Sequence, residues 1–93
     1  MKLFRDSAKR VHRVETPVVT YLSREEAIGL AQLATESAGL RWDEPISAGA
    51  RRDENDSVVV WTVITNALRR GAHVRVRIDD TTGGTLDVEK VVI

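Results

Sequence analysis

Between Ala27 and Ala38 the apolar residues recur at helical spacing, and beyond Pro45 the period changes to two. Ala27, Ile28, Leu30, Ala31, Ala34 and Ala38 form one apolar stripe. Ser23-Arg24-Glu25-Glu26 precedes it with the spacing of a capping box, the serine hydroxyl accepting from the Glu26 amide while the Glu26 carboxylate reaches back. The acids of this first turn also suit the helix dipole. Gly39 can supply the left-handed residue that ends the helix. So many alanines predict a helix lying close to whatever it covers.

Ile46 to Arg52 is a weak strand candidate, followed by a polar turn through Asp56. Ser57 to Asn66 is rich in β-branched residues and apolar on both sides, the pattern of a central strand. Asn66 to Gly71 turns the chain, Ala72 to Asp79 alternates, Asp80 to Gly84 turns it again, and Thr85 to Ile93 completes the pattern. One helix before a three- or four-stranded antiparallel meander predicts an α+β fold of two layers, with the helix across one sheet face.

The expected domain covers residues 17–93. Residues 1–16 form a basic tail or short element, with Leu3, Phe4, Ala8 and Val11 on one side and Lys2, Arg5, Lys9, Arg10 and Arg13 around them. Thr16-Pro17 favours extended backbone. Val18 to Tyr21 is then either a brief strand or a covering segment.

In the stretch VRVRIDDTTGGTLDVE, arginines lie on one arm and acids on the other. Placing Ile78 opposite Leu86 puts Val76 opposite Val88, Arg77 opposite Asp87 and Arg75 opposite Glu89. The apolar residues then share the helix-facing side and the charges pair on the other. Such pairing disfavours a one-residue slip, so register alone accounts for the pattern.

Lysines and arginines number 14 against 14 acids, so no global field steers the chain to nucleic acid or an anionic membrane. The absence of cysteine excludes disulfides, thiolate nucleophiles and cysteine-ligated metals. The run without a charge from Ser57 to Leu68 is too short to span a bilayer. Near the N-terminus no apolar stretch of signal-peptide type follows the basic residues, so a cytoplasmic protein is expected.

Catalytic residues are hard to find. His12 and His73 lack a carboxylate at metal-ligand spacing, the serines sit in no nucleophile elbow, and Asp53-Glu54-Asn55-Asp56 lacks the spacing of a calcium loop. Asp79-Asp80 opens a turn, where aspartates commonly accept from main-chain amides. Trp61 reads as core, its indole N–H paired at the rim, and Trp42 as a cap over the helix end or a partner contact. Arg69-Arg70, with Arg51-Arg52, could form a cationic end to the sheet and a partner-binding surface. Four aromatics in all are too few for an RNA-stacking sheet. Neither a cofactor nor a metal is expected.

The order of helix, Trp42-x-Glu44-Pro45, then Trp61-x-Val63-x-Thr65-Asn66, Arg70-Gly71, and Val74-x-Val76-x-Ile78-Asp79-x-x-Thr82-Gly83 resembles small bacterial PepSY-like domains. The likeness covers roughly residues 22–90 and is nearest to domains grouped with toxin-immunity proteins. It implies cystatin-like layering, binding to a protein as an inhibitor or immunity partner, and no catalytic residues.

Two functions are therefore expected ahead of others: a non-catalytic protein-binding module, or a homo-oligomer pairing through open sheet edges. Val88, Val91, Val92 and Ile93 mark the edge expected to associate, because an apolar terminal strand invites pairing. A small-ligand carrier or enzyme using the cleft between helix and sheet is a third reading.

Overall fold

The capping box forms as the sequence predicts. In the computed structural model, which describes residues 18–53 and 58–92, the Ser23 hydroxyl accepts from the Glu26 amide at 3.0 Å. The Ser23 amide donates to the Glu26 carboxylate at 2.8 Å. Helix α1 then runs over Arg24–Ser37, and Gly39 ends it in the left-handed region with φ 76°. Ala27, Ala31 and Thr35 are buried. The Thr35 hydroxyl satisfies itself by donating to the Ala31 carbonyl at 2.8 Å, which allows a polar residue on the inner face. Ala38 is exposed rather than part of the buried stripe, because it is the C-cap residue, where the chain leaves the sheet before returning at Leu40.

Four strands follow: β1 Ser47–Asp53, β2 Val58–Ile64, β3 His73–Asp79 and β4 Thr85–Val91. They form one antiparallel sheet in the order β1-β2-β3-β4, and α1 contacts all four from one face. This is the expected α+β two-layer meander. Trp61 and Val63 of β2 meet Val74, Val76 and Ile78 of β3 beneath Ala27 and Ala31 to make the core. Leu22, Leu30, Trp42, Ile46 and Val88 close its margins. Val18 to Tyr21 forms no strand; Val18, Val19 and Tyr21 are exposed, and the segment is tied to the sheet through the Tyr21 amide. The basic tail of residues 1–16 and Ile93 lie outside the described residues.

The β3–β4 register matches expectation at three pairs, Arg75 with Glu89, Val76 with Val88 and Arg77 with Asp87. At the fourth it differs. Ile78 faces Thr85, and an irregularity between Arg77 and Ile78 leaves Leu86 as the extra residue, half exposed instead of in the core. The turn is the cause. Gly83, left-handed at φ 75°, donates to the Asp79 carbonyl at 2.8 Å, while the Asp79 amide donates to the Gly84 carbonyl at 2.9 Å. That closure brings Thr85 opposite Ile78, and the additional residue bulges out.

On the outer sheet face Arg75 pairs with Glu89 and Arg77 with Asp87. Arg77 Nε donates to Asp87 Oδ2 at 2.8 Å. This hydrogen bond holds the Asp87 carboxyl below the usual range against the opposing effect of partial burial, with the Arg77 and Arg75 charges adding to it. Arg77→Glu should lower the melting temperature by roughly 2–5 °C by setting like charges opposite one another, and Asp87→Arg in the same chain should restore part of it. Additive losses in thermal melts would show that the two side chains are not coupled.

Candidate functional site

The connection from Thr65 to Ala72 is held in place by both main-chain and side-chain bonds. Main-chain bonds fasten it to the segment before β1: the Asn66 amide donates to the Asp43 carbonyl at 2.7 Å, and the Ala67 amide to the Pro45 carbonyl at 2.9 Å. The Asn66 side-chain amide spans the turn, donating to the carbonyls of Arg70 and Ala72, each at 3.2 Å. At its base the buried Thr65 hydroxyl accepts from the Val74 amide at 2.9 Å. His73 Nδ1 lies 3.1 Å from the Thr65 carbonyl, a geometry in which that nitrogen carries the proton.

This fixed loop presents Leu68. Asn66 and Leu68 both adopt left-handed backbone, with φ 53° and 68°. Asparagine tolerates that region, whereas for leucine it costs on the order of 1 kcal/mol. Leu68 is also 100% exposed. A strained, fully exposed leucine on a well-bonded loop is therefore the most conspicuous apolar group among the described residues.

Two hollows flank the loop. On the outer sheet face Ile64, Ala67, Leu68, His73 and Val91 surround an apolar one of about 350 Å³. It continues the outward row Val58, Val60, Thr62 and Ile64 of β2, which is half-buried by its neighbours but covered by no described element. On the helix side Leu40, Arg41, Asp43, Asn66, Arg70 and Lys90 surround a hollow of about 410 Å³ with mixed polar and apolar walls, between the end of α1 and the loop.

The opposite end of the sheet holds Asp80, which is 2% exposed. One oxygen accepts from the Trp61 indole at 2.8 Å and the Leu22 amide at 2.9 Å; the other accepts from the Tyr21 amide at 2.7 Å. Burial pushes this carboxyl up, but the three donors together outweigh it and hold it below the ordinary carboxylate value. Asp79 makes the local turn instead, accepting from the amides of Thr81 and Thr82. Asp80 is thus a clasp that fastens the segment around Tyr21 to the sheet.

The expected cationic sheet end does not assemble. Arg69 and Arg70 belong to the β2–β3 connection, whereas Arg51 and Arg52 lie toward the other end of β1, roughly 15–20 Å away by strand rise. In a meander, successive connections occupy opposite ends, and this separates the pairs. Trp42 is half-buried against the core, so packing accounts for it. Of the edge residues, Val88 turns inward, Val91 lies on the outer face opposite His73, and Val92 is 73% exposed; Ile93 is outside the described residues.

Sequence reasoning passes over Leu68 and reads Asp80 only as a turn residue. A leucine inside the turn Asn66-Ala67-Leu68-Arg69-Arg70-Gly71 is the available signal for the first. Nothing local marks the second, since its donors lie 58 and 59 residues earlier and 19 earlier in the chain. Among the described residues no group of three or more histidines and acids is placed to hold a metal ion, and no helix is long and apolar enough to cross a membrane. Comparison with protein-family models, curated proteins and solved structures finds no match for this chain.

Proposed function

We propose that the chain is a non-catalytic protein-binding module that docks a partner through the outer sheet face around Leu68. The carrying observation is a fully exposed leucine held in left-handed backbone by a well-bonded loop, beside an apolar hollow. Free in water, that arrangement costs energy and returns none. Against a partner, burying the leucine side chain returns roughly 1.5–3 kcal/mol with little ordering cost, because the loop is already fixed. The resemblance to PepSY-like immunity domains agrees with a partner that is itself a protein.

A second reading is favoured by one observation. Strand β4 is an edge strand, and its terminal Val91 with the following Val92 carry only Lys90 beside them as a charge against pairing. On that reading the partner is another copy. Sedimentation at about 100 μM showing a dimer that Val92→Lys converts to monomer would select it.

The docking reading predicts that affinity capture from the native host retains a protein on the wild-type chain and that Leu68→Asp weakens this at least tenfold. Leu68 touches no core residue, so the variant should melt with the wild type or above it. Equal retention by both chains would remove the outer face from consideration.

A further inference from the structure

The helix-side hollow and the apolar outer face differ in chemistry although one loop separates them. Arg41, Arg70 and Lys90 face the helix-side hollow against a single acid, Asp43, leaving a net charge of +2. Arg41 is already tied to Asp43 at 3.2 Å. Arg70 and Lys90 make no ion pair or side-chain hydrogen bond among the described residues.

Main-chain donors add to these cations. The amides of Arg70, Gly71 and Ala72 have no acceptor among the described residues, while the carbonyls of Arg70 and Ala72 are occupied by Asn66. Successive free amides beside two free cations are the usual makings of an oxyanion site. The negative end of α1, which borders the hollow, is blunted: Ala38, Gly39 and Leu40 donate to the carbonyls of Ala34, Thr35 and Glu36.

We propose that this hollow receives the carboxylates of an acidic segment of the partner polypeptide. The inference rests on the protein-binding reading and names the chemistry of a second contact, on the other side of the same loop. A polypeptide fits better than a small molecule, because the cations lie on three separate segments, before β1, in the β2–β3 loop and on β4, instead of converging on one point. Carboxylates spaced along an extended chain can reach all three.

The test is an amide-shift titration of the full-length ¹⁵N-labelled protein with a capped tetraglutamate peptide, and separately with inorganic phosphate. The peptide should shift the amides of Arg70, Gly71, Ala72 and Lys90 saturably, and about 0.5 M salt should abolish most of the effect. Arg70→Glu with Lys90→Glu should weaken binding at least tenfold. Lys90→Gln alone, a mild surface change, should weaken it about threefold and keeps the test open if the double variant fails to fold. Arg51→Glu, at the far end of the sheet, should bind as the wild type does.

Shifts that do not saturate by about 10 mM, or equal binding by Lys90→Gln and wild type, would overturn the proposal. So would phosphate shifting the same amides as strongly as the peptide, since the site would then take free anions. Leu68→Asn, which leaves the charge of the loop unchanged, should bind the peptide undiminished. Loss of peptide binding alongside intact Leu68-dependent capture would overturn this inference and leave the docking face standing.

Discussion

Replacing Asp80 with alanine is expected to destabilise the domain by about 3 kcal/mol, read as a fall in the urea midpoint. Hydrogen bonds to a charged group are worth roughly 1.5–3 kcal/mol each, and this carboxylate accepts three. They do not simply add. Tyr21 is 82% exposed, so its amide can turn to water, whereas Trp61 is 7% exposed and its indole N–H is stranded. Measured against a total stability of about 5–10 kcal/mol for a domain this size, the loss is large. Asp80→Asn should recover less than half of it. The asparagine oxygen can keep two donors, but the side-chain amide would then face the Tyr21 N–H, donor against donor. A midpoint unchanged by Asp80→Ala would show that the clasp adds nothing to the folded state.

Acid should act on the same group. The folded carboxyl lies below its unfolded value of about 3.9, so its contribution is complete above that value and is lost as pH falls through it and then through the lower folded one. Above about pH 5 it gives no pH dependence. The gap between wild type and Asp80→Ala should therefore narrow below about pH 4. Some acid sensitivity should persist in the variant, because Asp87 is shifted in the same direction.

The second large effect is expected at Ala31. It is fully buried where α1 crosses the sheet, as is Ala27 one turn earlier. Ala31→Leu would add three heavy atoms at this close approach and push the helix away from Val63 and Val76, at a cost of about 2–3 kcal/mol. The melting temperature should fall by roughly 10–20 °C. Leu33→Ala, on the solvent side at 63% exposure, should change it little. A leucine tolerated at position 31 would mean that the alanines of the inner stripe do not set the spacing between the layers.

These two sites show what sequence reading reaches and where it stops. Ala31 is legible because its cause is local: a cap at Ser23, a stripe at helical spacing and a glycine at the end. The alternation of β3 likewise places Val74, Val76 and Ile78 inward and Arg75 and Arg77 outward. Asp80 reads as a turn residue because its neighbour Asp79 is one, and only the packing of a distant segment distinguishes the two. Counting assigns Leu86 inward, and a turn that closes one residue differently puts it outside. Residue type groups the arginine pairs, and the path of the meander parts them. Leu68 carries a signal in sequence, but its left-handed backbone and full exposure emerge only in three dimensions.

The clasp also bears on the order in which the chain folds. Each hairpin of the meander joins neighbours in sequence, whereas the Tyr21–Asp80 bond closes a loop of 59 residues. Contacts so far apart are entropically costly to make early, so the sheet can zip before the Tyr21 segment is secured. On the ribosome, the segment around Tyr21 emerges long before its carboxylate partner and must wait for nearly the whole domain. An interaction formed after the rate-limiting step slows unfolding without speeding folding. The share of the Asp80→Ala loss carried by Tyr21 and Leu22 should accordingly show in the unfolding arm of the chevron, whereas the share carried by Trp61, a neighbour across β2 and β3, can also slow refolding. For the segment around Tyr21 the carboxylate then acts as a kinetic latch, governing how long it stays fastened more than how quickly the domain forms.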